Sequence, residues 1–154
     1  MNNTFKNSTI KNIAAQAVNS MREGALSYAS LLDATSNAMD EDQRRNVSLA
    51  SLSITSGIDN NVAILKSLMG SNHYDFPFSV ELLDYVTKLT HKAWSAVAQW
   101  RKTDSRPHYR IPSDLYRCCA DLEDMFKGEE PGQYWDQAGF KHWGHLASSI
   151  EGVK

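Results

Sequence analysis

Cysteine is nearly missing from this sequence, and the two that occur, Cys118 and Cys119, are neighbours. Adjacent residues do not readily reach ordinary disulfide geometry, so no disulfide framework is expected and both read as free thiols. No apolar run approaches the roughly 20 residues of a membrane-spanning helix, and no continuous apolar segment follows the opening MNNTFKNSTIKN. Neither a membrane anchor nor a secretory signal is expected, which leaves the cytoplasm as the default location. Charge imbalance is lacking too. With 16 Lys and Arg against 18 Asp and Glu, the net charge of −2 gives no global reason to expect nucleic acid or an acidic membrane as partner. The motifs of common chemistries are also absent: there is no glycine-rich phosphate loop, no G-x-S-x-G elbow, no H-E-x-x-H and no zinc-type cysteine spacing. An enzyme is therefore disfavoured and no cofactor is expected.

What the sequence does contain is helical periodicity. Leu82, Val86, Leu89, Ala93, Val97 and Trp100 recur at spacings of three and four, a single stripe at 3.6 residues per turn. Ser79 is placed to cap this helix, Glu81 to complement its positive end, and Arg101 and Lys102 its negative end. The spacing predicts a helix over 79–102, roughly 36 Å long, at the centre of the fold. A second amphipathic helix is predicted from residue 8 to about 32, with Gly24 in its alanine-rich stripe to let a partner come close. Asp40 and Gln43 resemble a capping box, and Val47, Ala50, Ile54, Ile58, Val62, Leu65 and Met69 carry a helix from there to Gly70. The segment 47–55 has a partial two-residue alternation that also suits a strand, but the alternation breaks at Ala50 and Ser51 and no partner strand is evident. On the helical reading Leu49 and Leu52 fall off the main stripe, as in a helix that is central or part of an interface.

After loops holding Pro107 and Pro112, Ser113 reads as the cap of a helix with the apolar face Leu115, Cys118, Cys119, Leu122, Met125 and Phe126, ended by Gly128. A weaker pattern over 135–150, through Phe140, Trp143, Ala147 and Ile150, predicts a C-terminal helix. At 154 residues, 42% hydrophobic and 22% charged, the chain fits one all-α domain over 1–154, with 1–7 disordered. The expected architecture is a compact bundle of four main helices plus the C-terminal one.

Of fifteen aromatic residues only Phe5 and Tyr28 precede Gly70, so a pocket or binding hot spot belongs in the second half unless those rings fill the core. His142 and His145 share a helix face and can reach one metal ion, but two ligands do not make a site, and solvent exposure is the simpler reading. Cys118 has no local base to activate it and reads as a small buried hydrophobe, as does Cys119. The sharpest feature is WRKTDSRPHYR, where Arg101, Lys102, Arg106 and Arg110 stand against the single acid Asp104, a net charge of +3. Asp121, Glu123, Asp124, Glu129 and Glu130 follow against Lys127, a net −4. The two blocks can be solvated or neutralise each other. Where they do not, the proline-stiffened run suits an acidic protein surface ahead of nucleic acid, with Trp100, Arg101, Arg106, His108, Tyr109 and Arg110 as the contact residues. The function expected is that of a small intracellular interaction factor: an adaptor, inhibitor or immunity-type protein. The alternative is a helical-bundle enzyme or ligand-binding protein with an aromatic-lined pocket, holding a metal at His142 and His145.

Overall fold

A computed structural model describes residues 8–72, 76, 78–103, 107 and 110–128. The predicted helix over 135–150, with His142 and His145, lies outside the described residues, as does the segment 1–7. Four helices follow one another: α1 (Ser8–Asp33), α2 (Glu41–Asn72), α3 (Val80–Thr103) and α4 (Arg110–Phe126). Among the described residues there is no strand, and 47–55 lies inside α2.

The start signals act as the residue types require. The Gln43 amide nitrogen donates to Asp40 Oδ1 at 2.8 Å and the Asp40 amide to Gln43 Oε1 at 2.9 Å, a reciprocal pair that satisfies two amides otherwise without partners. Ser79 Oγ accepts from the Leu82 amide at 3.3 Å. Gly128 takes φ 82° and donates to the Met125 carbonyl, closing α4 in the left-handed conformation that favours glycine.

Two boundaries differ from the sequence reading. α4 begins at Arg110, three residues before Ser113, because Pro112 falls in its first turn, where a missing N–H costs no helical bond. α2 continues through Gly70 to Asn72, since Gly70 keeps an ordinary helical backbone.

Each helix packs on two neighbours, α1 and α3 both touching α2 and α4, so the bundle is a closed ring and α3 is not its centre. The short connections make sequential neighbours antiparallel. Every residue of the predicted α3 stripe is buried, and Leu83, Tyr85 and Thr90 widen it. Facing it are Ala14, Ala17, Val18, Met21, Ala25 and Tyr28 of α1, in one continuous core with Ile58, Val62 and Leu65 of α2 and Leu115 and Leu122 of α4. Tyr28 crosses that core to donate its hydroxyl to the Ala93 carbonyl at 2.7 Å, so its one polar atom is satisfied where burial is complete. Gly24 sets the approach of α1 to α2: a Cβ there would lie 3.0 Å from Ile58 Cγ1.

Candidate functional site

The C-terminal end of α3 meets the N-terminal end of α2 and the turn joining α1 to α2. Trp100 is fully buried there, its indole N–H donating to Asn37 Oδ1 at 2.9 Å and the Arg44 guanidinium stacked 5.2 Å from its ring centre. Arg44 also donates to the carbonyls of Asn37 and Met39, tying the turn over the indole. Trp100 is thus a core residue and offers no surface to a partner, which corrects its place among the expected contact residues. The reason is physical: it ends the apolar stripe, and its one polar atom finds an acceptor inside the fold.

Arg101, one residue on, is half-buried and pairs with Glu41 of α2 at 3.0 Å. Lys102 and Arg110 are exposed. Arg106, His108 and Tyr109 lie outside the described residues. Of the acidic block, Glu123, 8% exposed, turns away from this basic run and accepts from Arg22 of α1 at 3.2 Å, with the Tyr116 hydroxyl against the same guanidinium.

The bases form a larger surface than the loop alone. Between Asp84 and Asp104, α3 carries Lys88, Lys92, Arg101 and Lys102 with His91, and no acid. Lys88, His91, Lys92 and Lys102 are exposed on the side opposite the buried stripe. Trp94 is half-buried, its ring 6.3 Å from that of His91. Sequence reasoning stopped at Trp100, although the spacing of Lys88, Lys92 and Lys102 opposite the stripe was a readable signal.

Cys118 and Cys119 are fully buried. Burial pushes both thiols up, Cys119 to about 12, and for Cys118 the neighbouring Cys119 and the carboxylates of Asp121 and Asp114 add to it. A thiol held protonated and away from solvent is a poor nucleophile, so both behave as the small hydrophobes expected. Among the described residues no group of three or more His, Cys, Asp or Glu is placed to hold a metal ion, and no helix is long and apolar enough to cross a membrane. Fold and surface together define a four-helix bundle with one basic helix face. No protein-family model, curated protein or solved structure matches the chain.

Proposed function

We propose that the protein is a cytoplasmic, non-enzymatic interaction factor, an adaptor, inhibitor or immunity-type protein that works by occupying an acidic surface of a partner protein. One observation carries the reading: from Lys88 to Lys102 the exposed charges of α3 are all basic, on a rigid helix held in a packed bundle. Charges carried on a helix need no backbone ordering on association, and a single-sign face steers an oppositely charged partner. In the sequence Arg106, His108, Tyr109 and Arg110 follow soon after that face. Nucleic acid ranks behind an acidic protein because the chain as a whole carries −2. The buried free thiols are in keeping with a reducing compartment.

The test is charge reversal at exposed positions, Lys92→Glu with Lys102→Glu, measured as affinity for the protein captured from native cell extract. Binding weaker by about tenfold or more, with a nearly unchanged melting temperature, is the expected result, since exposed charges contribute more to recognition than to stability. Unchanged affinity would assign these lysines to solvent.

A further inference from the structure

A helix that packs on two neighbours keeps one face for water. In α1 that face carries Gln16 and Glu23, in α2 Asn60 and Ser67, and in α3 Lys88 and Lys92, all of them exposed. α4 departs from this pattern. It too packs on two helices, α1 and α3, yet from Ile111 to Phe126 none of its residues is exposed. Opposite Leu115, Cys118 and Leu122 stand Ser113, Arg117, Ala120 and Asp124, at the spacing of one helical stripe, and all four are half-buried. Two carboxylates beside that stripe are closed in further. Glu123, 8% exposed, leans on Arg22 of α1, whereas Asp121, 3% exposed, lies on the opposite flank of the helix. Charged residues are rarely so buried on a face open to solvent.

The exposures belong to a single chain, so the cover does too. α1 and α3 hold the inner sides of α4, and α2 lies across the ring. Residues 104–109 lead into Arg110 and reach only the first turn, while 1–7 bring only Met1 and Phe5 as large apolar groups. What remains is the chain after Gly128. Gly128 takes φ 82°, which turns the backbone out of its helical course, and Pro131 with Gly132 suits a turn soon afterwards. Past that turn Phe140, Trp143, Ala147 and Ile150 share one face at helical spacing. As a helix, 135–150 would run roughly 24 Å, against roughly 26 Å for α4. A return course antiparallel to α4 therefore matches it end to end, over a connection of the length usual between neighbouring helices.

We propose that the outer face of α4 is the seat of the chain's own segment 135–150, laid antiparallel along Ser113, Arg117, Ala120 and Asp124 as an amphipathic helix with Phe140, Trp143, Ala147 and Ile150 turned inward. Laid end to end, Trp143 comes level with Arg117 and Ala120, the middle of the stripe. Ala120 and Ser113 are small, so the large rings of the segment have room against α4, and the alkyl stem of Arg117 offers apolar surface beside them. Burying Phe140, Trp143 and Ile150 supplies the driving force that a polar stripe lacks. The seat withdraws α4 from outside partners and leaves the basic side of α3 open, so it holds or fails independently of the reading of the protein as an interaction factor.

The experiment uses the full chain with one thiol added on the stripe, Ala120→Cys, and follows its reaction with a thiol reagent. Cys118 and Cys119 are fully buried and report on folding, since they react only when the bundle opens. Lys92→Cys, on the exposed side of α3, sets the rate of an open thiol. The thiol of Ala120→Cys is expected to react about tenfold or more slowly than that of Lys92→Cys, and to regain about that factor when Phe140→Ala and Trp143→Ala are added. Asp124→Cys is the second reporter, read in the same way if Ala120→Cys does not fold. If Phe140→Ala with Trp143→Ala makes all three thiols fast, Ile150→Ser, a smaller change on the same face, is expected to speed the stripe thiol alone; three fast thiols there as well would overturn the seat, because the segment would then belong to the core. Equal rates for Ala120→Cys and Lys92→Cys, a slow rate that no substitution in the segment changes, or a gain on removing 1–7 instead would each overturn it too. Direction is read by NMR from nitroxides on Gln137→Cys, expected to broaden the Asp124 amide, and on Ser149→Cys, expected to broaden that of Ser113. Broadening with the two exchanged, or on the outer sides of α1 or α3, would overturn the antiparallel course along α4.

Discussion

Trp100 and Trp94 are six residues apart on one helix, and their surroundings give them opposite roles. Trp100 ends the buried stripe and finds an acceptor in Asn37, so its ring closes one end of the bundle; Trp94 sits nearly two turns earlier at the edge, half in contact with water. The same distinction governs the thiols. Because burial holds Cys119 protonated from its ordinary 9.0 up to about 12, the unfolded chain binds fewer protons than the native one between those values. The sign follows: stability is intact below about pH 9 and declines as pH rises through that window, by up to about 1.4 kcal/mol per pH unit for each such thiol. Denaturant melts at about pH 7, 9 and 10.5 should show the decline, and Cys119→Ala should reduce it, leaving the part that Cys118 contributes. A slope unaffected by that substitution would place the alkaline sensitivity elsewhere.

At the scale of the helix, two glycines on adjacent elements make a controlled comparison. Gly57 in the middle of α2 has nothing within 4 Å of where a Cβ would stand, whereas at Gly24 of α1 that atom would lie 3.0 Å from the buried Ile58 side chain. Gly57→Ala should therefore stabilise the protein by up to about 1 kcal/mol through helix propensity alone. Gly24→Leu should destabilise it by about 1–3 kcal/mol, as overpacking at a close crossing does. Equal effects at both sites in urea melts would mean that α1 and α2 do not approach closely at Gly24. The termini obey a similarly local logic: Asp40 with Gln43, Ser79 and Gly128 each satisfy backbone groups within a few residues of themselves, and each was readable from residue type and spacing.

For the molecule as a whole, the decisive contact is the one that closes the ring between α1 and α4, helices separated by the length of two others. Arg22, Tyr116 and Glu123 form its polar part. The Glu123 side chain is 11% exposed while that of Arg22 is 37% exposed, so water screens the pair from one side. A double-mutant cycle with Arg22→Ala and Glu123→Ala should give a coupling of about 1 kcal/mol or less, but above zero. Zero coupling would mean that ring closure rests on the apolar contacts of Leu115, Cys119 and Leu122 alone.

The sequence by itself determined that this chain is helical, where three of its four helices start, and which residues line the buried stripe of α3 and most of the apolar face of α4, because periodicity and capping depend on groups within one or two turns of each other. The stripe of α3, the capping box of α2 and the burial of both cysteines all follow from such local patterns. Tertiary structure alone decided that Trp100 is covered by the α1–α2 turn, that Glu123 goes to Arg22 rather than to the basic run, and that Leu49 and Leu52 lie outside while Ser51 lies inside. Each of these turns on a neighbour far away in sequence. Periodicity says which side chains share a face; only the approach of another helix says whether that face meets protein or water.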